Sequence, residues 1–254
     1  MTLHIYYRHA PVRRLGSKAR PESFSYAGCL ENFASTLSGP LADGRAVLTL
    51  VFDGSTSEFA GDPLRATFDS LLAKHACSQV PPRVVHVSGG DQRKAWRACI
   101  ALVSVDVDAG RVATDDHIYL LENDYLHVQG WFDKFEELRR SQIHWDYLTF
   151  YDHLDKYPEL TDLPDARRYR RLKSRVFCAG SQHWRTTPST CATYLLSRRT
   201  LLRDRRLLGL GVYDYKLFTL LVRCNGRVLL SPVPSLATHS MRDFLAPAIR
   251  WEWQ

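Results

Sequence analysis

The sequence predicts an α/β fold: one mostly parallel, twisted sheet with helices on both faces. Two observations carry that expectation. Strand-like and helix-like hydrophobic periods alternate from the start of the chain to about residue 150, and such alternation builds parallel sheets. The run from Ala46 to Phe52 is apolar without a break, the pattern of a strand covered on both sides. A third observation places chemistry on this frame. Ile118 to Leu121 leads directly into Glu122, Asn123 and Asp124, acids at the carboxyl end of a strand, where open α/β sheets bind ligands.

The elements follow in order. His4 to Arg8 is an apolar, aromatic first strand, followed by a basic loop to Pro21 and a helix over 26–37. Residues 46–52 form the second strand, ended by the turn Asp53-Gly-Ser-Thr. The next helix places Phe68, Leu71 and Leu72 on one face. Residues 83–87 are a third strand. Ser88-Gly-Gly-Asp then opens a helix whose expected buried stripe is Ala95, Ala98, Cys99 and Leu102. Residues 117–121 form the fourth strand, and the helix after it buries Trp131, Phe132, Phe135 and Leu138. A fifth strand is expected over 145–151. The pattern then weakens: 154–175 holds two prolines and seven basic residues against four acidic ones, and a loop this long is usually functional or mobile. A strand over 189–196, helices near 197–206 and 213–223, a last strand over 227–231 and an irregular tail from Pro232 complete the chain. The expectation is a single domain over 1–254, with a nucleotide-binding half to 125 and an acceptor-binding half after it.

Composition narrows the class. The chain has 254 residues, 45% hydrophobic and 24% charged, ordinary for a globular protein. No run approaches the ~20 apolar residues of a membrane span, and the N-terminus reads as a strand and not as a signal peptide. Six scattered cysteines lack zinc spacing, so reduced, mostly buried thiols in the cytoplasm are expected. The net charge of +7 suits a phosphate-bearing substrate, the anionic inner face of a membrane touched peripherally, or nucleic acid; a solvated arginine-rich surface explains it equally well.

Several constellations point to chemistry. Along an extended segment Glu122 and Asp124 share one face and can meet Mn²⁺ or Mg²⁺ with hard oxygen ligands; a capped strand end is the plain alternative. His239, beyond the last expected strand, is a candidate second ligand to an ion on Asp124. Asp214 opens a helix, where an acid is ordinary, and is also a candidate general base for an acceptor hydroxyl. Asp53 is placed to accept from a base or ribose hydroxyl, and the amides after Gly89-Gly90 to face phosphate. Gln92 and Arg97, on the helix that follows, are assigned to the same donor. Asp152 and His153, with His183, Trp184 and Thr187, combine hydrogen-bonding groups with an indole expected to be exposed, a mixture suited to a sugar acceptor or to a structural turn. The three-glycine dinucleotide fingerprint and the Gly-Lys-Ser/Thr phosphate loop are both absent, which disfavours nicotinamide enzymes and ordinary NTPases.

In this order the segments resemble the GT-A class of nucleotide-sugar-dependent glycosyltransferases, over most of the chain from His4 to about Trp251. The resemblance implies that Tyr7, Arg8 and His9 meet the nucleobase and that Asp53 contacts the nucleoside. It also implies that Glu122-Asn123-Asp124 is a variant of the Asp-any-Asp metal motif, that Asp214 is the base of an inverting reaction, and that His239 completes the metal shell. More narrowly, the segments beginning at Tyr147, His183 and Leu230 resemble a bacterial group of small GT-A-like proteins. Glutamate at the first metal position departs from the general pattern, so Glu122 is assigned to the donor and Asp124 to the ion. The expected activity is transfer of a sugar from a nucleotide diphospho-sugar, a UDP-sugar, to a hydroxyl acceptor in polysaccharide or glycoconjugate synthesis. The rivals are a nucleotidyltransferase on a sugar phosphate, a non-catalytic nucleic-acid-binding module resting on Arg167 to Arg175, and a transferase acting on DNA bases.

Overall fold

The computed structural model describes residues 1–251 apart from 17, 76, 77 and 213. Cys77, the first expected residue of the 213–223 helix and the end of the tail therefore lie outside the described residues. The first half runs β1 (Leu3–His9), α1 (Tyr26–Thr36), α2 (Ser38–Ala42), β2 (Ala46–Asp53), α3 (Thr56–Ala60), α4 (Leu64–Lys74), β3 (Arg83–Val87), α5 (Gln92–Asp108) and β4 (His117–Glu122). After it come β5 (Tyr125–His127), α6 (Trp131–Arg140), β6 (Tyr147–Leu148), β7 (Val176–Ala179), β8 (Gln182–Thr186), β9 (Tyr194–Ser197), α7 (Arg198–Leu208), α8 (Asp214–Phe218), β10 (Leu229–Val233) and β11 (Ala237–His239).

Nine strands form one sheet in the order β3-β2-β1-β4-β9-β6-β10-β8-β7. The first four are parallel, with Tyr7 level with Leu50 and Leu121. Only β9 and β8 run against the rest, so the expected mostly parallel sheet is present. All eight residues of β2 are buried, as its unbroken apolar run requires. Side chains alternate across β1: Ile5 and Tyr7 enter one core with Phe33, Phe68, Tyr119 and Trp131, while Tyr6 enters the other with Trp96, Ile100, Leu120 and Leu201. The first core is covered by α1 to α4 and α6, the second by α5, α7 and α8.

A small second sheet pairs β11 antiparallel with β5 and sets His239 beside Tyr125. Neither strand was expected. The tail from Pro232 is thus ordered where it matters most. The other boundaries move too. The fifth strand contracts to Tyr147–Leu148, 189–196 to Tyr194–Ser197, and the last expected strand shifts to Leu229–Val233. Strands of two to five residues hold one or two periods of alternation, too few to read. The stripe of α5 is rotated from the expected one: Trp96, Cys99, Ile100, Val103 and Val107 are buried, whereas Ala95, Ala98 and Leu102 are not fully so. Of the five described cysteines only Cys29 and Cys99 are buried, which corrects the expectation of mostly buried thiols.

His127 of β5 is fully enclosed in the first core, bonded through Nε2 to the Tyr119 hydroxyl at 2.8 Å. Burial lowers its pKa from 6.5 to about 3. Between pH 6.5 and 3 the unfolded chain protonates this ring while the folded chain keeps it neutral, so stability should fall over that window by about 1.4 kcal/mol per unit. Urea denaturation at pH 7, 6, 5 and 4 measures the slope; His127→Gln should flatten it.

Candidate functional site

In the order β3-β2-β1-β4 the chain leaves β1 toward β2 and later returns to β4 on its other side. That reversal opens a crevice at the carboxyl ends of β1 and β4. A cleft of about 250 Å³ occupies it, lined by His9, Asp53, Gly90, Glu122, Asn123 and Asp124, with Arg8, Arg14, Lys18 and Gln92 at its margins.

Asp124 lies in the turn between β4 and β5 and is 2% exposed. Its Oδ2 accepts from Arg20 Nη2 at 2.7 Å and Lys18 Nζ at 3.0 Å, and lies 3.0 Å from His239 Nε2. Burial alone would raise its pKa; His239, Lys18 and Arg20 outweigh burial and hold the carboxyl well below the usual carboxylate range. Oδ1 is buried and has no described partner. Asp124 and His239 thus meet as expected, 115 positions apart, because β11 pairs with β5 and the His239 ring stacks on Tyr125 at 5.1 Å. Glu122 does not join them. The chain turns at 123–124 and is not extended there, so Glu122 faces Arg8, 3.5 Å away. No group of three or more acids, histidines or cysteines that could hold an ion occurs among the described residues. One carboxylate with an orphaned oxygen and one imidazole would fit a divalent ion only if phosphate and water supplied its remaining ligands.

Asp53 accepts from the Gly89 amide at 2.6 Å and the Gly90 amide at 3.0 Å. The Asp53 carboxylate thus holds the Gly89-Gly90 turn in place; the amides after that turn, the ones expected to face phosphate, are not the ones it takes. Gly89 is required, since a Cβ there would lie 2.4 Å from the backbone of Ala95. Asp53→Ala would orphan both amides and should cost about 1–3 kcal/mol, readable by urea denaturation. His9 is buried between Asp62 Oδ1 at 2.9 Å and the Asn123 amide nitrogen at 2.6 Å. The Asn123 amide donates to Nδ1, so Nε2–H donates to Asp62. His9 braces the cleft floor. Tyr7 does not reach the cleft: its ring packs in the core and its hydroxyl donates to the Asn123 carbonyl at 3.2 Å. Arg97 also misses it, donating to the Leu210 carbonyl at 2.9 Å.

A second cavity of about 440 Å³ adjoins the first; Arg8, Asp91 and Gln92 line both. Its floor includes Trp96, Tyr194 and Leu217, and its rim Asp214 and Lys216. Asp214 opens α8; one carboxylate oxygen accepts the Tyr215 amide at 2.8 Å. The Arg8 guanidinium lies 4.7 Å above the Trp96 ring and donates to the Ala192 carbonyl at 2.8 Å. It stands at the junction of the two spaces.

The expected acceptor residues lie elsewhere. Asp152 is buried, paired with Arg185 Nη2 at 2.6 Å and accepting from the Tyr157 hydroxyl; burial raises its pKa despite these partners. His153 pairs with Asp155 at 2.9 Å. Trp184 is 0% exposed within the first core, which corrects the expectation of an exposed indole: on β8 alternate residues point inward, and Trp184 shares the inward face with Gln182. Thr187 is buried and donates to the Ser189 carbonyl; His183, on the opposite face of β8, is exposed. None of these five lines either cavity. Sequence reading missed Lys18, Arg20, Trp96 and Lys216. The first two had a visible signal in the basic run between Pro11 and Pro21; the others are ordinary helix residues until the fold places them.

The sequence matches no protein-family model and no curated protein. Among solved structures, the chain is similar to a 4-diphosphocytidyl-2C-methyl-D-erythritol synthase, at 14% identity and TM-score 0.45, covering 90% of this chain and 88% of that one. It is similar to mouse xyloside xylosyltransferase 1 in its apo form, at 13% identity and TM-score 0.46, covering 90% and 84%. A CMP:2-keto-3-deoxy-manno-octonic acid synthetase complexed with CTP gives 13% identity and TM-score 0.45, covering 91% and 89%.

Proposed function

We propose that this protein is a transferase that takes a nucleotide diphospho-sugar in the first cavity and a hydroxyl acceptor in the second. One observation carries the proposal: two adjoining cavities at the carboxyl edge of the sheet share Arg8, Asp91 and Gln92, with Asp124 and His239 at one and Asp214 at the other. A donor and an acceptor bound side by side meet at that junction, which supplies the proximity that a bimolecular transfer needs. Asp124 and His239 are the residues that would hold Mn²⁺ or Mg²⁺; such an ion offsets negative charge on the diphosphate leaving group. Asp214 takes the proton of the acceptor hydroxyl as that oxygen forms its bond to the anomeric carbon and the bond to the nucleoside diphosphate breaks. A single displacement inverts the anomeric centre. Arg8 and Gln92 orient the two substrates at the shared wall.

Asp214→Asn should lower transfer by about 10²–10⁴-fold with donor affinity retained, measured by initial rates and by calorimetric titration of the donor. Full activity in that variant removes Asp214 from the chemistry. A thermal-shift series of nucleotides with and without Mn²⁺ tests the site itself, since a ligand at a hundred times its Kd stabilises by about 2.7 kcal/mol.

Nucleotidyl transfer to a sugar phosphate is the second reading. The observation that favours it is the cationic loop after β1, whose Arg14 and Lys18 line the first cavity as a triphosphate would require. Product analysis separates the two: pyrophosphate for nucleotidyl transfer, a nucleoside diphosphate for glycosyl transfer.

A further inference from the structure

Asp124 carries more positive charge than a ligand awaiting an ion needs. Lys18 and Arg20 both bond the oxygen that His239 faces, at 3.0 and 2.7 Å, while the other oxygen is buried and unpartnered. A divalent cation on this carboxylate would lie within a few ångströms of an ammonium and a guanidinium, and like charges at that range repel strongly when screened by little water. A cation on the carboxylate therefore competes with these side chains, most directly with the one free to leave. The two side chains are held differently. Arg20 is fixed: its guanidinium also donates to the Ser240 carbonyl at 2.7 Å and lies 4.3 Å over the Phe24 ring. Among the described residues Lys18 bonds Asp124 alone; it is 43% exposed and lines the cleft in which the phosphates would lie.

We infer that Lys18 is an internal counter-ion that occupies Asp124 while the cleft is empty and transfers to the phosphates of the nucleotide when a divalent cation takes the carboxylate. The inference rests on the reading of Asp124 and His239 as the ion site. It makes the ion and the nucleotide mutually dependent: the ion alone must displace Lys18 without giving it a new partner, whereas the nucleotide supplies one. Each ligand therefore tightens the other. Lys18 is a binding and positioning residue in this scheme, with no part in the chemical step.

The test is Mn²⁺ binding to the intact chain, followed by the electron paramagnetic resonance signal of the free ion. Mn²⁺ alone should bind Lys18→Met about tenfold more tightly than the native chain, since one competing charge is gone. UDP in saturating Mn²⁺, titrated calorimetrically, should bind that variant more weakly than the native chain, and the mutual tightening of Mn²⁺ and UDP should shrink. Lys18→Gln should behave alike. If Mn²⁺ affinity is unchanged in both variants while Asp124→Asn abolishes it, the counter-ion role is overturned and the ion site stands. If neither the native chain nor any variant binds Mn²⁺, both fall together.

Discussion

Asp124→Asn should remove Mn²⁺-dependent nucleotide binding and transfer together, and should also weaken the fold. The amide keeps the shape of the carboxylate but not its charge. Arg20, largely buried, and Lys18 would then face each other and His239 with nothing to balance them. Breaking a buried ion pair from one side costs about 3–5 kcal/mol, and the lower end applies because Lys18 is 43% exposed and screened by solvent. Urea denaturation gives the stability loss, and titration of UDP with Mn²⁺ gives the binding. The sign of the pH dependence follows from the depressed carboxyl. Its stabilising share is complete above the unfolded value near 3.8 and is lost only in strong acid, as pH falls through the lower folded value. Titration of the Asp124 carboxyl itself should therefore add no slope to the difference between native chain and variant from pH 5 to 8. A variant of native stability with intact Mn²⁺–UDP binding would refute the assignment.

Trp184→Ala should be strongly damaging to the fold. The indole is wholly enclosed among core residues of the first face, and truncating a buried aromatic to alanine costs about 3–5 kcal/mol. Its Nε1 is buried without a described partner, so Trp184→Phe loses no hydrogen bond and leaves a smaller void; it should cost much less than alanine. Denaturant melts of the two variants give the ordering. Were the alanine variant within 1 kcal/mol of native, the ring would not be packed as described. Donor binding by the folded fraction should survive, because Trp184 lines neither cavity.

These two residues also mark where sequence reading succeeded and where it failed. Asp124 was legible because a strand of apolar residues ending in acids is a local pattern, and its position at the edge of the sheet follows from the strand alone. The joint role of Glu122 was inferred from alternation along an extended chain; a reverse turn at 123–124 interrupts that alternation and sends the two carboxylates apart. Trp184 looked exposed because its neighbours are polar, yet in a strand one neighbour on each side is expected to point away. Asp53 is at the end of β2 as expected, and its carboxylate takes the Gly89 and Gly90 amides, a contact 36 and 37 positions away that no local pattern announces.

The amino-acid order by itself determined the alternating strands and helices, the burial of β2, the apolar face of α6 and the gathering of acids at strand ends. Each depends on spacing within a dozen residues, and spacing is written directly in the chain. Only the tertiary structure decided that His239 meets Asp124, that Arg8 joins two cavities, and that Lys18 and Arg20 reach back across the cleft. Those contacts span 104 to 184 positions. They depend on the register of strands as short as the three residues of β5 and β11, and three residues are too few to carry a period that any local pattern could reveal.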